Sequence, residues 1–278
     1  PECVREALGK AVSEGIFGYT EADEAYYQAV TDWFRKHYGW KAEAEWIIKT
    51  PGVVFALAQA VKAFTEAGDG VLIQSPVYYP FYEVIRDNDR RIVENPLKLQ
   101  NGHYEMDFED LEKKLAGEKI KLMFLCSPHN PIGRVWTKDE LRRIGELIRK
   151  YQVILVSDEI HCDLVRPGFV HHVFSEAVPE AADQVLICTA PSKTFNLAGL
   201  QVSNIFIKNP ALRAKLKKEI DRAGYSQLNM AGLIACKAAY QGGEEWLADC
   251  KAYLWENLDY LKSFVERHLK GVRLIEPE

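Results

Sequence analysis

Lys193 lies in Thr189-Ala190-Pro191-Ser192-Lys193-Thr194-Phe195-Asn196, a short polar turn directly after the apolar run Val185-Leu186-Ile187-Cys188. An amine held where a strand ends is fixed in place and open to pKa tuning, so it can condense with an aldehyde and also move protons. Two further polar residues upstream follow apolar runs in the same way: Asn130, after the run ending at Cys126, and Asp158, after the run ending at Val156. Separately each has an ordinary reading. A Ser-Lys-Thr turn is commonly solvated surface, Asp158 could cap a helix, and Asn130 before Pro131 could open a turn. Taken together, an amine, a carboxylate and an amide at successive strand ends are the set that a pyridoxal phosphate site requires.

That cofactor calls for a lysine at its aldehyde, a carboxylate that keeps the pyridine nitrogen protonated, and a donor to the phenolic oxygen. It also calls for a lid over the ring and backbone amides at a helix start for the phosphate. Lys193, Asp158 and Asn130 match the first three by type, Tyr78 matches the lid, and Gly52, Val53 and Val54 match the helix start. Ser192 or Thr189 could add a hydroxyl to the phosphate cup. Plain core is the lesser alternative for Tyr78. His171-His172 carries no metal reading, because adjacent side chains diverge and no cysteine or carboxylate completes a ligand set.

Elements that could place these residues alternate after residue 50. Strand-like runs fall at Val71–Gln74, Arg91–Val93, Lys121–Cys126, Val153–Ser157, Val185–Thr189 and Asn204–Ile207. Helical spacing falls at Val53–Glu66, Tyr79–Asn88, Thr137–Tyr151 and Pro210–Ala223, then at Gln227–Tyr240 and Glu244–Leu269 without an intervening strand. The alternation predicts an α/β fold, a mostly parallel sheet sandwiched by helices with one edge strand antiparallel. In such sheets ligands bind beyond the carboxyl ends of the strands, which is where the polar residues fall. Residues 20–242 read as one large cofactor-binding domain, 1–19 as an N-terminal segment leading from the small domain, and 243–278 as a linking helix with the start of a truncated small domain. Both ends read as cut.

The chain's 278 residues, 47% apolar and 27% charged, suit a globular enzyme. A net charge of −5 without basic runs gives no electrostatic case for nucleic acid. No apolar run approaches the length of a bilayer span, no signal-peptide layout opens the chain, and the expected setting is cytoplasmic. Six cysteines without a C-x-x-C pair read as thiols in a reducing compartment, not as a disulfide framework or zinc ribbon.

Five segments in order resemble fold type I pyridoxal phosphate enzymes: Thr50-Pro51-Gly52-Val53-Val54, Pro76-Val77-Tyr78-Tyr79-Pro80-Phe81, Asn130-Pro131-Ile132-Gly133-Arg134, Ser157-Asp158-Glu159-Ile160-His161 and Ser192-Lys193-Thr194-Phe195-Asn196. The set is most similar to the cystathionine β-lyase branch of the class I/II aminotransferase superfamily, and the similarity runs from about Gly18 to Leu274. It implies an aspartate aminotransferase-like large domain and a pyridoxal 5'-phosphate cofactor. Lys193 would be the base, and Asp158 and Asn130 would contact the ring. The implied reaction is β-elimination of a carbon–sulfur bond in cystathionine- or cysteine-like amino acids, giving thiol, pyruvate and ammonia. An aminotransferase using the same site is the alternative, and a non-catalytic cofactor-binding regulatory module a remoter one. His161, where many aminotransferases of this fold carry tyrosine, resembles the lyase branch. Ala190 and Gln201 depart from the serine and arginine that aminotransferases often place around the lysine. The resemblance further implies a homodimer with shared sites, Tyr19 reaching the neighbouring subunit's phosphate, and a substrate-carboxylate arginine from beyond Glu278.

Overall fold

The computed structural model describes residues 1–278. Seven strands form one sheet: β1 (Ile47–Thr50), β2 (Gly70–Ile73), β3 (Arg91–Glu94), β6 (Ile120–Cys126), β7 (Ile154–Asp158), β8 (Val185–Thr189) and β9 (Ser203–Phe206), while β4 (Lys98–Gln100) and β5 (His103–Glu105) make a separate hairpin. The order is β1-β9-β8-β7-β6-β2-β3. Strands β8, β7, β6, β2 and β3 pair in parallel, and β9 runs antiparallel to both β8 and β1 at one side of the sheet. The expected mostly parallel sheet with a reversed strand toward one edge is present, and β1 pairs outside the reversed strand β9.

Side-chain alternation sorts the central strands onto two faces. Met123 and Leu125 of β6 join a core of 42 buried residues on one side, and Leu122, Phe124 and Cys126 join a core of 22 on the other. Both faces of these strands are buried, which is why they read as nearly continuous apolar runs.

Helices α1 (Glu2–Glu14), α2 (Glu24–Tyr38), α3 (Val53–Phe64), α4 (Pro80–Arg86), α5 (Phe108–Gly117) and α6 (Lys138–Tyr151) precede two single turns, α7 (Phe174–Ala177) and α8 (Pro191–Thr194). They are followed by α9 (Pro210–Arg222), α10 (Met230–Gly242) and α11 (Glu244–His268). Residues of α2, α5, α6 and α10 cover the larger core and residues of α3, α4 and α9 the smaller. Helix α6 starts where its charge pattern predicts, with Thr137 and Glu140 forming a reciprocal capping box. The alternating pattern read after residue 50 does not include α1, α2 or β1. Yet α2 carries a helical stripe: Tyr26, Ala29, Val30, Trp33 and Phe34 are buried, and Asp23 caps its N-terminus by accepting from the Tyr26 amide at 2.8 Å. Helix α11 buries only Leu247 and Val265. No helix is long and apolar enough to cross a membrane.

Candidate active site

Three adjacent parallel strands end level with one another, with Cys126 opposite Asp158 and Asp158 opposite Cys188. This register aligns the loop carrying Asn130, the carboxylate of Asp158 and the turn carrying Lys193 at one end of the sheet. Burial drives the Asp158 pKa up to about 7, against a bond from the Ile160 amide to Oδ1 at 3.2 Å and the attraction of the nearby Lys193 charge. Asp158 is only 3% exposed and has no cation at hydrogen-bond distance. Lys193 is exposed and makes no ion pair with any carboxylate. Burial, with some help from the Asp158 charge, also raises the Tyr78 pKa.

His161 stands on the same site. Burial, then the positive charge of Lys193, lowers its pKa to about 4, so the ring is neutral at pH 7. Its Nδ1 is buried without a partner. Asn130 and His161 line a pocket of ≈ 220 Å³, which Trp255 and Glu278 also border. The Asn130 backbone N–H donates to Cys126 Sγ at 3.2 Å, and its side chain makes no hydrogen bond within the protein. At the N-terminus of α3 no side chain caps the first turn, and no atom lies within 4 Å of where a Cβ on Gly52 would stand. The exposed amide end can therefore take an anion. Ser192 is half-buried, and Tyr19 is 99% exposed.

The Thr189 hydroxyl does not join them. Thr189 is 1% exposed and its Oγ1 donates to the Asn204 carbonyl at 3.0 Å, a bond across the β8–β9 pair. The strand's pleat turns this side chain away from the open end, so of the two hydroxyls expected at the phosphate only Ser192 is presented.

A pyridoxal phosphate fits these residues on their own chemistry. A buried, unpaired carboxylate is costly unless a cation meets it. A protonated pyridine nitrogen would satisfy Asp158, an aldehyde would take the free Lys193 amine, and a phosphate would take the α3 amides.

Two buried residues beside the site, Glu159 and His129, carry no distinctive chemical signature in the sequence. Glu159 is fully buried and points the opposite way from Asp158, accepting from Ser157 Oγ at 2.9 Å, His171 Nε2 at 2.9 Å and the Phe174 amide at 3.0 Å. His129, buried against Trp136, bonds the Pro76 carbonyl at 2.9 Å through Nε2, which ties the Asn130 loop to the Tyr78 loop. The only sequence signal was their position directly at strand ends.

Burial also lowers the His129 pKa to about 4. Between about pH 6.5 and pH 4 the unfolded chain protonates both histidines while the folded chain does not, so stability falls as pH drops. Asp158, raised to about 7, works in the opposite sense, since the folded state takes its proton first. Two protons against one leave a net loss on the order of 3 kcal/mol for the cofactor-free protein across that window. Urea melts at stepped pH should show this fall; a flat or rising profile between pH 6.5 and 4 would contradict the assigned burial.

A family model described as aminotransferase class I and II matches residues 1–278. The chain is 44% identical over 278 residues to cystathionine beta-lyase PatB of Bacillus subtilis, covering 100% of this chain and 72% of that protein. It is 33% identical over 261 residues to protein MalY of Escherichia coli, covering 93% and 66%. The structure of cystalysin from Treponema denticola, which contains pyridoxal 5'-phosphate, superposes with a TM-score of 0.95 at 41% identity, over 97% of this chain and 68% of that one. A pyridoxal phosphate-bound C–S lyase from Staphylococcus hominis, complexed with L-cycloserine, gives 0.95 at 38% identity, over 100% and 69%. The chain thus spans from 66% to 72% of the length of these relatives.

Proposed function

The chain belongs to the class I and II aminotransferases, and from that premise we propose that it is a pyridoxal phosphate-dependent carbon–sulfur β-lyase acting on cystathionine- or cysteine-like L-amino acids. The observation that carries the chemistry is the pairing of a buried carboxylate lacking a cation, Asp158, with an exposed amine lacking an anion, Lys193, at neighbouring strand ends. The choice of lyase is supported by His161 and by the 44% identity to a cystathionine beta-lyase.

When bound, the cofactor supplies an electron-withdrawing ring conjugated with the substrate's amino nitrogen, which makes the α-proton acidic. The residues do the rest. Asp158 would hold the proton on the pyridine nitrogen. The Asn130 side chain would donate to the phenolic oxygen, with neutral His161 beside it, and Tyr78 would cover the ring. The amides of Gly52, Val53 and Val54 with the Ser192 hydroxyl would hold the phosphate. Lys193 Nζ would hold the aldehyde carbon, and its amine, when free, would take the proton from the substrate Cα. The Cβ–S bond then breaks, with its electron pair leaving on sulfur as thiolate, and hydrolysis of the remaining three-carbon fragment gives pyruvate and ammonia.

Residues 20–242 form the cofactor-binding domain in this reading, with 1–19 leading into it and 243–278 linking it to a smaller domain. The sparse burial of α11 fits a linking helix. Tyr19 reaches the neighbouring subunit's phosphate in a homodimer; its full exposure, with Ile16 and Phe17 76% and 67% exposed beside it, fits a segment that packs on another copy. Six free cysteines, four of them buried, fit a cytoplasmic setting.

Incubation of the intact holoenzyme with cystathionine and no keto acid should release pyruvate over many turnovers. Amino transfer to an added keto acid, with no pyruvate formed in its absence, would instead make the protein an aminotransferase.

A further inference from the structure

Asp163 lies five residues beyond Asp158, does not line the pocket bordered by Asn130 and His161, and has no part in the chemistry above. It is 6% exposed, and no cation bonds its carboxylate. Three donors converge on it: Trp33 Nε1 at 3.0 Å and Tyr38 OH at 2.6 Å on Oδ1, and Thr194 Oγ1 at 2.7 Å on Oδ2. Two of these come from α2 and the third from the residue next to Lys193.

The turn needs such an anchor. Helix α8 has four residues, too few to hold a helical orientation by backbone bonding alone. Its two neighbouring side chains point to opposite surroundings: Thr194 is 1% exposed, whereas Lys193 is exposed. Fixing Thr194 inward therefore fixes the direction of Lys193. Trp33 serves the same turn twice, since its indole N–H bonds Asp163 and its ring packs edge-on against Phe195 with centroids 5.4 Å apart. Short bonds to a charged acceptor are stronger and more directional than those between neutral groups.

We propose that Asp163 is a positioning residue that aims Lys193, using α2 as its platform and Thr194 as its grip on the turn. The inference rests on Lys193 being the lysine that joins the cofactor. An amine displaced by even an ångström loses alignment with both the aldehyde carbon and the substrate α-proton.

The test uses the cofactor-loaded full-length protein. Thr194→Val removes only the hydroxyl, Thr194→Ser keeps it, Asp163→Asn removes the charge at constant size, and Lys193→Ala is the reference. Thr194→Val should lower kcat by roughly 10-fold or more with KM little changed. It should also move the pH midpoint of the visible band of the lysine-bound cofactor by about half a unit or more. Asp163→Asn should shift the midpoint in the same direction, and Thr194→Ser should restore both kcat and midpoint. Wild-type kcat and midpoint in Thr194→Val would overturn the proposal. So would equal losses in Thr194→Val and Thr194→Ser with an unmoved midpoint, which would leave Thr194 a packing residue only. If Lys193→Ala retains the band, the assignment of the lysine fails and the positioning role fails with it; loss of the band there with an unaffected Thr194→Val overturns the positioning role alone.

Discussion

Lys193→Ala should lose the visible absorbance of lysine-bound cofactor and lower kcat by roughly 10⁴-fold, the upper range of a positioned general base. Two functions vanish together in this variant: the amine that holds the aldehyde carbon and the base that takes the α-proton. Lys49, on the edge strand β1, is engaged elsewhere, donating to the Tyr27 hydroxyl at 2.7 Å. The loss should appear in kcat more than in KM, since the interaction matters most once the proton moves. A small exogenous amine should recover part of the rate without restoring the covalent link. Spectra and steady-state kinetics of the purified variant check both halves, and retention of the band with activity within tenfold of wild type would remove Lys193 from its role.

Asp158→Asn should separate activity from stability. In the cofactor-free protein Asp158 is a buried carboxylate whose pKa is raised from 3.8 to about 7. Its folded pKa lies above its unfolded one, so it favours folding at low pH, and that contribution is lost as pH rises through about 7. Above pH 7 holding the charged form inside costs on the order of 4 kcal/mol, which asparagine avoids while still accepting from the Ile160 amide. The cofactor-free variant should therefore melt at a higher temperature than wild type at pH 8, with the difference shrinking toward pH 5. Activity should fall by about two to three orders of magnitude, the scale of losing one preorganised electrostatic contact. Lower thermal stability of cofactor-free Asp158→Asn at pH 8 would contradict the unpaired state of the carboxylate. The pattern, stability given up where a ligand is to be met, is what a binding site requires.

Much of this site was legible because parallel sheets bury both faces of their strands. The runs ending at Cys126, Val156 and Cys188 stand out against polar residues, and whatever polar group follows them falls at the ligand end of the sheet. Asn130, Asp158 and Lys193 are of that kind. What the sequence did not disclose depends on contacts between distant segments. Thr189 looks like a phosphate hydroxyl until the antiparallel neighbour β9 is in place to accept its proton through Asn204. Glu159 and His171 are ordinary polar residues twelve positions apart, and only the fold brings them together at 2.9 Å. Asp163 is similar: its donors Trp33 and Tyr38 belong to α2, an aromatic-rich helix whose buried stripe lies ahead of the alternating pattern that marks the sheet.

The central claim, that Lys193 holds pyridoxal phosphate opposite Asp158, meets its most direct test in mass spectrometry. The purified holoenzyme would be treated with borohydride to fix any cofactor joined through nitrogen, then digested and mapped. The account predicts one added cofactor mass, on the peptide carrying Ser192-Lys193-Thr194. Its appearance on any other lysine, or on none while the visible band is present, would contradict it.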